Sequence, residues 1–114
     1  MGVDVVPGTL ELLLLKTLSR GDMMHGFAIL QWLRRVTRGD LVVEEGALYP
    51  ALHRLERRRL LSAEWGVSEK GRRAKYYRIT ARGREQLEAE EARWTQYMAA
   101  WRRIARAASV PAGA

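Results

Sequence analysis

The first half of the chain carries apolar side chains at helical spacing in three separate blocks. Residues 9–19, TLELLLLKTLS, are apolar enough for a buried helix, and Glu11 lies in its first turn, where the helix dipole favours a negative charge. Residues 25–38 form a second block, whose apolar face consists of Ile29, Trp32, Leu33 and Val36. Residues 46–58 form a third block, whose inward stripe consists of Leu48, Leu52 and Leu55. The pattern therefore predicts three short helices.

The pattern then changes to short segments that are rich in aromatic and branched side chains. Residues 61–67 and 75–79 have this composition, and the polar stretch SEKGRR at residues 68–73 separates them. This arrangement predicts a β-hairpin with a basic tip. Thr80 is well placed to cap the N-terminus of a last, long helix over residues 81–108.

Three short helices followed by a β-hairpin are typical of a winged helix-turn-helix, in which the third helix reads DNA and the hairpin is the wing. We therefore expect a mainly α fold with a small β-hairpin. The expected division is a winged helix-turn-helix domain over residues 1–80 and a C-terminal dimerisation helix over residues 81–110. Residues 1–8 are expected to form a loosely held arm.

Charge is concentrated in one part of the chain and changes the picture. The net charge is +7, and residues 53–84 contain eleven Lys and Arg against three acidic residues. Such a block suits a polyanionic partner, although a solvated basic surface has the same composition. The chain has no cysteine, and no apolar run at its start is long enough for a leader or a bilayer span. We therefore expect a cytoplasmic protein.

The predicted third helix has a face suited to a DNA groove. Spacing of 100° per residue places Gly46 and Pro50 towards the start of its outward side, and Ala47 is a further DNA-contact candidate on this helix. Cationic and hydrogen-bonding side chains follow or flank them, namely Tyr49, His53, Arg54 and Arg57. A helix that is narrow at its leading end enters the major groove, about 12 Å wide, while its flanks reach phosphates. For this helix taken alone, the alternative is an ordinary amphipathic helix whose polar face is exposed to solvent.

The hairpin strengthens the DNA-binding interpretation. Four cationic side chains crowd its tip and would repel one another without an anionic partner: Lys70, Arg72, Arg73 and Lys75. A basic wing of this kind follows phosphates or enters a narrow minor groove.

Several linked motifs resemble the PadR family of bacterial transcription regulators. The stretch EGALYPALHRLE at residues 45–56 is similar to the recognition helix of that family. WG at residues 65–66 and GRRAKYYRIT at residues 71–80 match its wing and exit strand, and GTL at residues 8–10 and HGF at residues 25–27 match its N-terminal half. The single long C-terminal helix resembles the short subfamily.

The resemblance implies a homodimeric regulator, usually a repressor, on a palindromic operator. It gives Tyr49 a contact to a backbone phosphate and gives Arg72, Arg73 and Lys75 the flanking phosphates. Ala47 departs from the family pattern, since many relatives have a hydroxyl side chain there. Arg59 stands where relatives often have a glycine, and an arginine in a left-handed cap costs about 1 kcal/mol, so we expect the turn to differ locally.

The last helix carries a heptad-like apolar stripe. It repeats every seven residues at Leu87, Trp94, Trp101 and Ala108, and Glu91 interrupts it. Met98 and either Ile104 or Ala105 fill the alternate positions. A domain of this size cannot bury so long a stripe alone, so a second copy and the first helix are expected to cover it. Packing on its own domain only is the alternative.

Trp94 suggests a second role. By resemblance it occupies the position at which drug-sensing members of the short subfamily place a tryptophan facing its symmetry mate across a cavity. Planar aromatic cations, as inducers, would stack between such rings, and Glu90 and Glu91 would favour the positive charge. Plain interface packing of Trp94 is the alternative.

Two rival functions remain to be compared. An enzyme is disfavoured, since the chain has only two histidines, no cysteine, no phosphate-binding loop and no metal-ligand spacing. We accordingly expect no cofactor and no metal. A winged helix that binds RNA or protein is the second rival, and the basic block does not by itself separate RNA from duplex DNA.

Overall fold

The structure is a computed structural model that describes residues 2–113. In chain order its elements are β1 (Val3–Asp4), α1 (Leu10–Leu18), β2 (Met24–His25), α2 (Gly26–Val36), β3 (Leu41–Val42), α3 (Glu45–Arg57), β4 (Leu61–Val67), β5 (Arg73–Ile79) and α4 (Ala81–Ala108). The order of helices and hairpin confirms the mainly α winged helix-turn-helix architecture. The strand β5 begins at Arg73, two residues earlier than predicted.

The N-terminal arm is held more firmly than predicted. The strands β1 and β3 pair in parallel, with Val3 opposite Leu41, and the Val3 amide donates to the Asp40 carbonyl at 2.9 Å. The prediction of a loosely held arm is therefore wrong for these residues. Met1, the first residue of that arm, lies outside the described residues.

The core lies where α1, α2 and α3 meet the inner side of the hairpin. Its fully buried members include Leu14, Leu15, Leu18, Ile29, Leu30, Leu48, Leu52 and Leu55. Val36 was predicted on the inward face of α2, but it lies in the last turn of that helix and is 55% exposed. Leu30 is buried instead, because the inward face of α2 is centred on Ile29, Leu30 and Leu33.

The sheet has three strands in the order β2-β5-β4, all antiparallel. Tyr77 of β5 is opposite Ala63 on one side and Met24 on the other, and its side chain is almost completely buried. The His25 side chain, at the end of β2, accepts the Ala28 amide through Nδ1 at 3.1 Å and so caps α2. The short strand β2 thus joins the wing to the start of α2.

The turn after α3 keeps a left-handed residue, although that residue is an arginine. Arg59 has φ 61°, its amide donates to the Glu56 carbonyl, and the Leu60 amide donates to the Leu55 carbonyl at 3.0 Å. These are the two hydrogen bonds of a Schellman motif. The expectation that the turn differs locally is wrong, because these bonds and the burial of Leu60 offset the cost of the conformation.

The start of α4 closes over this turn. The Thr80 hydroxyl accepts the Gly83 amide at 2.9 Å, as predicted for an N-cap, and lies 2.8 Å from the Arg59 carbonyl oxygen. The Thr80 amide donates to the Leu60 carbonyl at 3.1 Å. Gly83 is buried, and a Cβ at this position would collide with that same carbonyl oxygen, so no side chain fits there. The end of α3 and the start of α4 are therefore fixed to each other.

Gly83→Ala tests this close approach. An added Cβ would collide with the Leu60 carbonyl oxygen and would lie 2.8 Å from Cγ1 of Ile79, so we expect the free energy of unfolding to fall by about 1–3 kcal/mol. Gly46→Ala is the matched control, because its Cβ would meet no atom within 4 Å and alanine favours a helix by up to about 1 kcal/mol. Urea unfolding measures both. Equal stability of the two variants would contradict the close packing.

Candidate nucleic-acid interface

The third helix, α3, presents one free face. Leu48, Ala51, Leu52 and Leu55 are fully buried against the core. On the opposite side Gly46, Pro50, His53 and Arg57 are exposed. The division between inward and outward positions is the one that helical spacing predicts.

The leading end of this free face is narrow and lacks one helix hydrogen bond. A side chain added at Gly46 would meet nothing within 4 Å, and Ala47 is small and exposed. Pro50 lies inside α3 and has no amide hydrogen, so the Gly46 carbonyl receives no bond from that position. The first two turns of α3 therefore offer a narrow surface that carries the Gly46 carbonyl oxygen as a hydrogen-bond acceptor.

Tyr49 is positioned by a glycine on the neighbouring helix. Its ring lies over Gly26 at the start of α2, where any Cβ would collide with Cε1 of the ring. Burial raises the pKa of the Tyr49 hydroxyl above its ordinary value, and the Glu45 carboxylate adds to the rise. The phenol therefore stays protonated at neutral pH and is able to donate a hydrogen bond.

One flank of α3 is tied to α1. The Glu11 carboxylate accepts Nε of Arg54 at 3.0 Å through one oxygen and a terminal nitrogen of Arg58 at 3.1 Å through the other. Arg54 was predicted to face DNA, whereas here its guanidinium is paired with α1. Helical spacing places Arg54 and Arg58 on one side of α3, but nothing in the sequence pattern identifies Glu11 of α1 as their shared partner.

The other flank of α3 is tied to the wing. Lys75 of β5 donates to the Glu56 carboxylate at 2.7 Å. That hydrogen bond raises the pKa of the Lys75 ammonium, and partial desolvation opposes the rise. Lys75, also predicted to contact DNA, is thus held against α3. Ion pairs on opposite flanks together fix the rotation of α3 about its own axis.

The tip of the wing is a tight, basic turn. Gly71 has φ 74° and donates its amide to the Ser68 carbonyl at 2.9 Å, while the Ser68 amide donates to the Arg72 carbonyl at 2.7 Å. Lys70 and Arg72 are exposed. The guanidinium carbon of Arg73 lies 4.4 Å from the centre of the Trp65 ring. Of the four predicted wing cations, Lys70, Arg72 and Arg73 are therefore exposed, with Arg73 stacked on Trp65, and Lys75 is paired with Glu56.

A groove of about 630 Å³ lies between the wing, the start of α2 and α3. Its walls include His25, Phe27, Tyr49, His53, Trp65 and Arg73. The ammonium of Lys70 lies 5.7 Å from the centre of the Phe27 ring, so the wing tip reaches the start of α2. Sequence patterns identified Tyr49, His53 and the wing cations here but did not assign Phe27 to the site, although Phe27 is the last residue of the HGF motif at residues 25–27.

The stripe on α4 is covered at its start and open further along. Leu87 is 5% exposed and packs in the core, and Met98 is half-buried. Trp94, Trp101 and Ile104 are 39%, 55% and 61% exposed. The protomer alone therefore leaves most of the predicted interface uncovered.

The surroundings of Trp94 are aromatic and partly acidic. Its ring stacks on Tyr97, with centroids 5.9 Å apart and planes inclined by 25°. Glu91 pairs with Lys16 of α1 at 2.9 Å, and Glu90 accepts the Gln86 amide at 2.8 Å. The two carboxylates that were expected to attract a cation therefore already have partners in the protomer.

Residues 2–113 contain neither a helix that could cross a membrane nor a cluster of metal-ligating side chains. None of the helices there is both long enough and apolar enough to cross a bilayer. Nor do three or more of the acidic and histidine side chains in that stretch converge as metal ligands.

The chain is similar to known transcription regulators in sequence and in fold. The model of the transcriptional regulator PadR-like family matches residues 14–89. A PadR-like transcription factor from Bacteroides fragilis is 35% identical with a TM-score of 0.70, covering 85% of this chain and 90% of the other. A PadR family regulator from Eggerthella lenta is 31% identical with a TM-score of 0.74, covering 85% and 81%. A transcriptional regulator from Clostridium thermocellum is 27% identical with a TM-score of 0.76, covering 84% and 92%. The chain therefore belongs to the PadR-like family of transcriptional regulators, which are not enzymes.

Proposed function

We propose that this regulator is a homodimeric, cytoplasmic repressor that binds a palindromic operator through α3 and the wing. The observation that carries the proposal is the free face of α3, Gly46 to Arg57, lying beside the exposed cations of the wing tip. An α-helix with a slim leading end fits the major groove, and a basic turn beside it reaches the flanking phosphates. The proposed domain boundary is the start of α4, after residue 80.

The exposed side chains fall into distinct roles in this proposal. Arg57 and His53 point outward from α3 and are the candidates for base edges. Tyr49, kept protonated and held against Gly26, is a candidate donor to a phosphate oxygen. Lys70, Arg72 and Arg73 supply charge that neutralises phosphates irrespective of sequence. Ala47 and Pro50 allow close approach, and they add no hydrogen-bond donor from their side chains.

Dimerisation is supported by the open stripe on α4. Trp94, Trp101 and Ile104 are large apolar side chains at one face of a helix, and isolated chains seldom expose such a row. A second copy related by a two-fold axis would cover the stripe and would double the recognition helices. Two recognition helices on a two-fold axis match a palindromic duplex.

The wing predicts a salt-dependent affinity. Arg72→Ala with Arg73→Ala should weaken binding to all duplex sequences alike and reduce the slope of log K against log salt by about 0.9 per lost phosphate contact. Arg103→Ala with Arg106→Ala is the matched control, because these exposed arginines lie on the opposite side of α4 from the stripe. Fluorescence anisotropy with labelled duplex at several salt concentrations measures both pairs.

Two results would contradict this assignment. Equal slopes for the wing pair and the control pair would remove the wing from the interface. Tighter binding to RNA or to single strands than to duplex of the same sequence would favour the RNA-binding alternative.

Substitutions in α4 test the dimer. Trp101→Asp with Ile104→Asp should give a monomer of 13.0 kDa by light scattering at micromolar concentration, where the unaltered chain gives twice that mass. Both side chains are exposed in the protomer, so helical content should persist. Arg103→Asp, on the far side of α4, should stay dimeric. A monomeric unaltered chain would exclude the dimer and the palindromic operator with it.

We further propose that planar aromatic cations bind at Trp94 and relieve repression. Trp94 and Tyr97 already stack in one protomer and are both exposed, so a two-fold axis would bring a second pair towards them. Aromatic rings in a sheltered site attract a flat cation by stacking and by cation–π attraction. Coupling between such sites is typically about 1–3 kcal/mol, enough to lower operator affinity roughly 5- to 150-fold.

Proflavine, a planar tricyclic cation, is a suitable probe in the absence of DNA. Its fluorescence anisotropy should rise on addition of the protein, and Trp94→Ala should abolish the rise. Trp65→Ala removes a different exposed tryptophan and should leave proflavine binding unchanged. Binding that survives Trp94→Ala would place the ligand elsewhere. A Trp94→Ala chain that becomes monomeric without any proflavine effect in the unaltered chain would make Trp94 an interface residue only.

A further inference from the structure

The carboxylate of Glu11 binds two cations of the recognition helix at once. Its two oxygens accept Arg54 and Arg58 separately, at 3.0 Å and 3.1 Å. The Glu11 side chain is 25% exposed, whereas the arginine side chains are 48% and 49% exposed. The acid is thus the sheltered partner, and the guanidinium groups reach in from the surface.

Glu11 is not free to follow the arginines away from α1. It lies in the first turn of α1, and Leu14, Leu15 and Leu18 of that helix are fully buried. Arg54 and Arg58 are four residues apart, so they project from the same side of α3, next to the free face. The side chains that would have to move for any rearrangement are the arginines.

The charge on this flank differs from the charge on the wing. One carboxylate against two guanidinium groups leaves a net charge of about +1, and each arginine has at least one donor engaged within the protein. At the wing tip, three exposed cations, Lys70, Arg72 and Arg73, stand against one exposed carboxylate, Glu69, and within residues 2–113 none of the three forms an ion pair. A duplex approaching α3 therefore meets available cations at the wing and engaged cations on the α1 flank.

We propose that Glu11 is a specificity-determining residue, which holds Arg54 and Arg58 back from backbone phosphates and so lowers the sequence-independent affinity for DNA. The inference rests on the proposed DNA-binding function of α3. A partly exposed ion pair of this kind is weak enough for a phosphate to compete with it. An operator sequence that fits α3 closely brings its phosphates near enough to displace the Glu11 carboxylate from the two arginines. A loosely held duplex of another sequence does not.

Glu11→Gln tests the proposal on a duplex of random sequence. The amide keeps the shape and loses the charge, so both arginines become available to phosphates. Affinity should rise roughly five- to tenfold at about 0.1 M salt, and the salt slope should steepen by about 1–2, at about 0.9 for each added phosphate contact. Anisotropy titrations between about 50 and 200 mM salt measure both quantities.

Asp22→Asn is the matched control. It removes the same charge from another carboxylate that pairs with an arginine, since Asp22 lies 3.4 Å from Arg20, but no residue of α3 or α4 takes part. The control should keep the salt slope of the unaltered chain. Adding Arg54→Gln and Arg58→Gln to Glu11→Gln should remove the gain, because the released cations are then absent.

A second pair of variants does not depend on the folding of Glu11→Gln. In the otherwise unaltered chain, Arg54→Gln with Arg58→Gln should weaken binding to random duplex no more than Arg103→Gln with Arg106→Gln, which removes equal charge from α4.

A larger loss would mean that the two arginines already contact phosphates, and would overturn the proposal. A Glu11→Gln chain that binds random duplex like Asp22→Asn or more weakly would also overturn it. If the unaltered chain binds RNA or nothing, the proposed function fails first. If it binds duplex and only these comparisons fail, the role of Glu11 alone is wrong.

Discussion

The orientation of α3 about its own axis is the constraint on which the proposed interface depends. Burying Leu48, Leu52 and Leu55 turns one side of the helix into the core, and each such side chain contributes about 1.5–3 kcal/mol. The ion pairs on the two flanks, Glu11 with α3 and Lys75 with Glu56, add about 1 kcal/mol or less each. Burial therefore supplies the stability, and the ion pairs restrict the remaining rotation. A rotation of one residue, 100°, would replace Arg57 on the free face by a neighbour that belongs to a flank.

The long helix α4 links this orientation to assembly. Its first turn closes on the left-handed turn at Arg59 through Thr80 and Gly83, so the end of α3 cannot shift without moving α4. Lys16 and Glu91 join α4 to α1, and α1 in turn holds α3 through Glu11. A change at the open half of α4, around Trp94, therefore has two short routes to the recognition helix. In the proposed dimer, this continuity would let a ligand bound at α4 alter the separation of the two recognition helices.

Local patterns in the sequence predict most of the fold. The inward stripe of α3, the Thr80 cap and the hairpin follow from spacing and residue type, and these are properties of neighbours along the chain. The pairing of β1 with β3 and of β2 with β5 has no such signal, because each strand has only two residues and its partner is distant in sequence. The partners of Arg54 and Lys75 were missed for the same reason, since an exposed cation is indistinguishable from a paired one until the opposing element is placed. Val36 was misplaced because helical spacing does not indicate where the core ends along a helix.

The central claim is that two copies of α3 and the wing bind one duplex about a two-fold axis. Hydroxyl-radical footprinting of the unaltered chain on the DNA upstream of its own gene measures this directly. We expect two protected blocks related by a dyad, with centres one helical turn, about 10–10.5 base pairs, or a multiple of that apart, each flanked by weaker protection from a wing. A single unsymmetrical block, or uniform protection that disappears with added salt, would contradict it.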